Sequence, residues 1–152
     1  MNGSNGEISK PADKKKDLGP PLKILVADDT AVNLALATKL LKRRGHEITS
    51  VEDGLQAFET FKKASFDVVL MDIHMPVMDG LESTAKIREF EVSQPSRPPT
   101  PIIAMTANNE RSDHETYLNS GMNGIINKPL NIKTHSSQTI DSLAEISGWK
   151  NS

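Results

Sequence analysis

Short apolar runs alternate along the chain with stretches whose apolar residues recur at helical spacing. Leu22-Lys23-Ile24-Leu25-Val26-Ala27 has the length of a buried strand and is halted by Asp28-Asp29. Leu34, Leu36, Ala37, Leu40 and Leu41 then predict a helix, with Lys42-Arg43-Arg44 in its last turn and Gly45 as its left-handed stop. Ile48-Thr49-Ser50-Val51 reads as a second strand. Asp53, with Gln56 three residues on, predicts the start of a helix whose buried stripe is Leu55, Phe58 and Phe61. Phe66-Asp67-Val68-Val69-Leu70-Met71 is the strongest strand and runs into Asp72. Pro76 and Asp79-Gly80 mark a loop, and Leu81 to Phe90 a helix carrying Leu81, Ala85 and Ile87. After the Pro-rich connection from Ser93 to Pro101, Ile102-Ile103-Ala104-Met105 is a fourth strand ending at Thr106. Ser112 and Glu115 form a capping box for a helix ending near Gly121. Ile125-Ile126 begins a fifth strand that ends at Lys128-Pro129, and a weaker amphipathic helix runs through Ile132, Ile140, Leu143 and Ile146. Five strands alternating with five helices call for an α/β fold, a parallel sheet covered on both faces.

The ends of the chain lack this patterning. Residues 1–21 are mostly Gly, Ser, Asn, Lys and Asp and bury too little apolar surface to offset their ordering entropy, so a disordered lead or linker is expected there. The folded unit is expected at 22–147, with a tail at 148–152. Lys14-Lys15-Lys16, interleaved with Asp13 and Asp17, reads as a solvated charge cluster. A length of 152 residues suits one domain, and a net charge of -2 gives no bulk electrostatic reason to bind nucleic acid or an anionic membrane. The absence of cysteine excludes a disulfide scaffold, a Cys-based zinc site and a cysteine nucleophile. No apolar run approaches the roughly 18 residues that span a bilayer, and the N-terminus has no apolar signal region. A cytoplasmic protein without membrane contact is the expectation.

In an open parallel sheet, ligands bind outside the carboxyl ends of the strands. The first strand delivers Asp28 and Asp29 to that edge, the third Asp72, the fourth Thr106 and the fifth Lys128. Three carboxylates drawn together repel one another unless a cation sits among them. An all-oxygen set without His or Cys suits a hard ion such as Mg²⁺, with Mn²⁺ able to substitute. Asp72 would then attack phosphorus in line, while Lys128 offsets charge on the phosphoryl oxygens and Thr106 donates a hydrogen bond to one. Taken singly, each residue has a plainer explanation as a cap, a turn residue or a solvated loop charge. Their convergence from four strands is what points to phosphoryl chemistry.

ILVADD, LMDIHMPVMDG, MTAN and NKPL, in this order and spacing, resemble the response-regulator receiver domain of two-component and phosphorelay signalling. The wording MDIHMPVMDG and NKPL, with Asn33 four residues after Asp29, is most similar to the C-terminal receivers of hybrid histidine kinases. The resemblance implies a flavodoxin-like (βα)5 fold, a doubly wound sheet in the order 2-1-3-4-5. It implies Asp72 as phospho-acceptor, Asp29 as a direct metal ligand and Asp28 as one acting through water. His74 would offer its backbone carbonyl to the metal, Thr106 would be the switch hydroxyl, and Lys128 would precede a cis bond to Pro129. His74 and Asn108 would line the path of attacking water. The chain departs from the family at Ile125, where receivers commonly carry Tyr or Phe, and this bears on how Thr106 is coupled to the surface.

The leading expectation is therefore a phosphorelay receiver. It takes a phosphoryl group from a phosphohistidine onto Asp72, then relays it or switches conformation. Its partners would be a histidine kinase or a histidine phosphotransfer domain, with the chain a monomer or weak dimer. A Mg²⁺-dependent phosphatase or phosphotransferase is one alternative, although phosphatases of the haloacid-dehalogenase type want an Asp where His74 stands. A receiver-like binding scaffold that is never phosphorylated is the other, and it predicts loss of site residues that are all present. The short stretch after Pro129, one helix and a tail, leaves little room for a DNA-binding domain. Of the remaining residues, His46, His114 and His135 read as surface groups, and Met71, Met75, Met78 and Met105 as core filling or loop packing.

Overall fold

The computed structural model describes residues 21–94, 98–106 and 111–127. Five parallel strands are present: β1 (Lys23–Ala27), β2 (Glu47–Val51), β3 (Val68–Asp72), β4 (Ile102–Thr106) and β5 (Gly124–Asn127). Four described helices connect them in turn: α1 (Ala31–Arg43), α2 (Gly54–Lys63), α3 (Gly80–Val92) and α4 (Arg111–Asn119). The sheet order is β2-β1-β3-β4-β5, the doubly wound 2-1-3-4-5 arrangement, and every pairing is parallel. The expected last helix and the Lys128–Pro129 bond lie outside the described residues, as does the linker expected over most of 1–21.

Side chains of successive strand residues point to opposite faces, and the core accordingly divides in two. On one face Leu25, Ala27, Val69, Met71, Ile102 and Ala104 pack with Ala57 and Phe61 of α2, Ile87 of α3 and Tyr117 of α4. On the other, Ile24, Val26, Val68, Leu70, Ile103 and Met105 pack with Ala37, Leu40 and Leu41 of α1. Met71, Met75, Met78 and Met105 are buried as expected. Phe61 and Phe90 meet edge to face at 6.2 Å between ring centroids, tying α2 to α3. Among the described residues no helix is long and apolar enough to cross a membrane.

The helix ends follow local chemistry. After α1 the Gly45 amide (φ 93°) donates to Lys42 O at 2.9 Å and the His46 amide to Leu41 O at 3.2 Å, the paired bonds of a Schellman stop. Asp53 caps α2 by accepting from the Gln56 amide at 2.8 Å, and the Gln56 side chain accepts from the Glu52 amide at 3.0 Å. Asp79 caps α3 in the same way through the Glu82 amide.

Four expectations need correction. Leu55 is exposed, because the inward face of α2 is Gly54, Ala57 and Phe61. Ala85 is likewise exposed, since α3 turns Ser83, Thr84, Ile87 and Glu91 inward, and its polar residues hid the buried face from apolar periodicity. Ser112 is the second residue of α4 and therefore not its N-cap. His46 is buried rather than on the surface: its Nδ1 accepts the Leu22 amide at 3.0 Å.

Candidate functional site

At one edge of the sheet the apolar runs of β1, β3 and β4 give way to polar residues. Asp28 follows β1 directly, Asp72 closes β3 and Thr106 closes β4, and all three are buried, Asp28 to 1% and Asp72 to 3% exposure. Asp29 is exposed at the mouth. One carboxylate oxygen from each of Asp28, Asp29 and Asp72 lies within 4.8 Å of the others. The β3–β4 register pairs Asp72 with Met105, so Thr106 stands one residue beyond Asp72's neighbour on β4.

Local hydrogen bonds hold these carboxylates. Asp28 Oδ1 accepts the Thr30 amide at 2.9 Å, and the Asp28 amide donates to Val51 O of β2 at 3.2 Å. Asp72 Oδ1 receives the His74 amide at a long 3.4 Å, and the His74 side chain is exposed. Such a dense group of carboxylates, two of them nearly without solvent, has the charge and hard oxygen chemistry of a divalent-cation site. The sequence expectation that Asp28, Asp29, Asp72 and Thr106 share one edge therefore agrees with the geometry. Lys128 lies outside the described residues. Asn127, the residue before it, pairs with Thr106.

The loop between β3 and α3 is fixed more tightly than its sequence suggested. A Cβ on Gly80 would lie 2.1 Å from the Asp72 carbonyl oxygen, so α3 begins hard against the backbone at the end of β3. A Cβ on Gly54 would lie 2.2 Å from Met78 O, which instead accepts the Gly54 amide at 2.9 Å. Ser83 Oγ donates to Gly54 O at 2.8 Å and completes the tie between α2, the loop and α3. Asp79-Gly80 signalled only a turn in sequence. Gly54 and Ser83 gave no signal, because their role depends on two helices meeting. Ile125 pairs with Ala104 on β4 and packs, partly buried, against the α2–α3 face.

Comparison with known proteins agrees with this geometry. The family model "Response regulator receiver domain" matches residues 24–138. The chain is 42% identical over 118 residues to hybrid signal transduction histidine kinase I of Dictyostelium discoideum, a match covering 74% of the chain and 7% of the relative. It is 43% identical over 107 residues to transcription factor SKN7 of Saccharomyces cerevisiae, covering 70% of the chain and 16% of the relative. The chain thus spans a small fraction of the curated relatives it matches. Among solved structures, the receiver domain of the S. cerevisiae response regulator Ssk1, co-crystallised with the histidine phosphotransfer signaling protein Ypd1, superposes with a TM-score of 0.75 at 27% identity, over 84% of this chain and 90% of that one. The receiver domain of a sensor histidine kinase of Pseudomonas aeruginosa PAO1 superposes with a TM-score of 0.72 at 32% identity, over 85% of this chain and 99% of that one; it holds a magnesium ion in its active site cleft.

Proposed function

The chain belongs to the response regulator receiver family and is a receiver domain of phosphorelay signalling, and from that premise we propose that Asp72 is the residue that carries the phosphoryl group. The observation that supports this most is the convergence of the Asp28, Asp29 and Asp72 carboxylates within 4.8 Å at the strand ends. An Asp72 oxygen attacks phosphorus opposite the imidazole nitrogen of a phosphohistidine. The new O–P bond forms as the N–P bond breaks, and the departing nitrogen keeps the electron pair and takes up a proton.

Asp28, Asp29 and Asp72, with the carbonyl of His74, would hold Mg²⁺, which would neutralise the carboxylates and polarise phosphoryl oxygens. Asp29, at the mouth, would be the direct ligand, and the buried Asp28, which holds its own loop through the Thr30 amide, would act through water. The Thr106 hydroxyl donates to a phosphoryl oxygen, and Lys128 offsets the remaining charge. Mn²⁺ substitutes because the donors are all oxygen. The partner is a histidine kinase or a histidine phosphotransfer domain, the setting is the cytoplasm, and the chain acts as a monomer or weak dimer. It is the receiver of a larger hybrid histidine kinase, a reading supported by the relatives of which it matches only a small part. A phosphatase reading is not favoured: His74 occupies the position where that chemistry would want a second carboxylate.

A titration with Mg²⁺ and then beryllofluoride, followed by amide NMR, tests the pocket as a phosphoryl site. Saturable shifts centred on residues 28–30, 72–74 and 106 in the wild type, absent in Asp72→Asn, are expected. Equal shifts in the two proteins would overturn the assignment.

A further inference from the structure

Of the five strands, β5 has the least to fix its register. It is four residues long, Gly124–Asn127, and stands last in the sheet order, paired with β4. Ile125 is partly buried against one face of the sheet and Ile126 against the other. A slip of one residue along β4 would set one isoleucine in the place of the other, so the apolar pattern opposes it weakly. Yet the pairing is well defined: Ile103 with Gly124, Ala104 with Ile125, Met105 with Ile126 and Thr106 with Asn127. Asn123 supplies what the isoleucines lack. Its amide donates to Ile102 O at 2.7 Å, and its Oδ1 accepts the Ile102 amide at 2.9 Å. Both backbone polar groups of one β4 residue are thus bracketed by the residue that leads into β5, and any slip would break both bonds at once.

The bracket is itself anchored. Asn123 Oδ1 also accepts from Arg88 of α3 at 2.7 Å. The same guanidinium holds Gly121 O, two residues upstream, through Nε at 3.0 Å and a terminal nitrogen at 2.8 Å. Asn123 is exposed, so these bonds serve no buried core; they fix a place along the strand. What that place governs lies at the other end of β5. Asn127 stands opposite Thr106, and Lys128 is the next residue in the chain. A slip of one residue carries a position about 3.3 Å along the sheet and turns it to the other face. A cation displaced that far no longer meets a phosphoryl oxygen at hydrogen-bond distance. We propose that Asn123, held by Arg88, is a positioning residue for phosphoryl transfer: it pins the register of β5 and thereby delivers Lys128 to the acceptor pocket. The proposal rests on the reading of Asp72 as acceptor and Lys128 as the cation beside it.

The test follows three quantities: the rate of labelling from acetyl phosphate, Mg²⁺ affinity by calorimetry, and the β4–β5 register from backbone nuclear Overhauser effects. It compares wild type with Asn123→Ala, Asn123→Asp, Lys128→Ala and the double variant Asn123→Ala/Lys128→Ala. Asn123→Ala should label about tenfold more slowly, the worth of one hydrogen bond with a charged partner. The Overhauser contacts that mark the Thr106–Asn127 pairing should weaken with it. Its Mg²⁺ affinity should stay within about twofold of wild type, because the three carboxylates sit at the ends of β1 and β3. Asn123→Asp, whose carboxylate accepts from the same two donors, should restore labelling. The double variant should be no slower than Lys128→Ala, since both changes withdraw one cation. Should Asn123→Ala fail to fold, seen as lost Mg²⁺ binding, Asn123→Ser carries the same expectations, its hydroxyl being too short to bridge both donors. Wild-type labelling without the Asn123 amide, a loss that Asn123→Asp does not restore, or losses that multiply in the double variant would each overturn the proposal. Wild-type labelling by Lys128→Ala would defeat the reading of Lys128, and the proposal with it. No labelling of the wild type would defeat the acceptor assignment itself.

Discussion

The two edges of the sheet use the same polar residue types to opposite ends. At the amino edge, side chains stitch the starts of strands together. Asp67 accepts the Lys23 amide at 2.8 Å and His46 accepts the Leu22 amide, both at the start of β1. Glu91, buried on α3, accepts the Thr100 amide at 2.7 Å, and Asn123 accepts the Ile102 amide at 2.9 Å, both at the start of β4. Arg88 sits at the centre of the second group. Its guanidinium donates to Glu91 at 2.7 Å, Thr100 O at 2.8 Å, Asn123 Oδ1 at 2.7 Å and Gly121 O through both Nε and a terminal nitrogen. Here charge is balanced and donors are spent on backbone carbonyls, so the edge is a fastening.

At the carboxyl edge, by contrast, like charges are concentrated. Three carboxylates gather within 4.8 Å, the next loop holds Val77 in a strained turn at φ 70°, and exposed hydrophobic residues rim the mouth. Repulsion and strain are what a fold optimised only for stability would remove. The contrast teaches where function resides. Asn123 apart, the amino edge should respond to mutation through stability, and the carboxyl edge through ion and phosphoryl binding.

The largest expected effect is at the carboxyl edge. Asp29→Asn removes the exposed carboxylate and should abolish Mg²⁺ binding, measured calorimetrically, with little change in melting temperature; unchanged affinity would break the distinction between the edges. Lys128→Ala should fold normally yet lose about 10²–10³ in phosphorylation rate, followed as labelling from acetyl phosphate, because the transferring oxygens lose their cation. Wild-type labelling in that variant would show that the phosphoryl group sits elsewhere. Arg88→Met reverses the signature. It should cost about 3 kcal/mol in urea unfolding, since Glu91 is left buried without its cation, while Mg²⁺ affinity stays near wild type.

The smallest effect is a pH dependence at the amino edge. Burial first, and Arg44 second, lower the pKa of His46 below its usual 6.5, with Asp67 pulling weakly the other way. The unfolded chain therefore binds the proton more readily than the folded one. The stability contributed by neutral His46 is complete above about pH 6.5, and it is lost as pH falls from there through the lower folded value. His46→Asn, which keeps an acceptor for the Leu22 amide, should flatten that part of the unfolding profile. An unaltered slope below pH 6.5 would remove His46 from the fastening.

Much of the carboxyl edge was legible in the sequence. The first, third and fourth strands are apolar runs that give way abruptly to polar residues, and a parallel topology forces those ends to one side, so Asp28, Asp29, Asp72 and Thr106 could be placed together from sequence. The amino edge was not legible. Its bonds join residues far apart in sequence, Arg88 with Gly121 and His46 with Leu22, and nothing local in either partner announces them. The buried face of α3 was misread for a related reason. Glu91 is paired with Arg88 and with the Thr100 amide, and a satisfied charge can face inward where apolar spacing alone predicts Ala85. The turn at Val77 went unseen because valine is the residue least expected to adopt it.

The central claim is that the carboxyl edge exists to place a phosphoryl group on Asp72. Intact mass after incubation with Mg²⁺ and acetyl phosphate, beside Asp72→Asn, tests it most directly. One labile phosphoryl adduct on the wild type and none on the variant is the expected result. An adduct of equal yield on Asp72→Asn, or none on a wild type that binds Mg²⁺ and beryllofluoride, would contradict it.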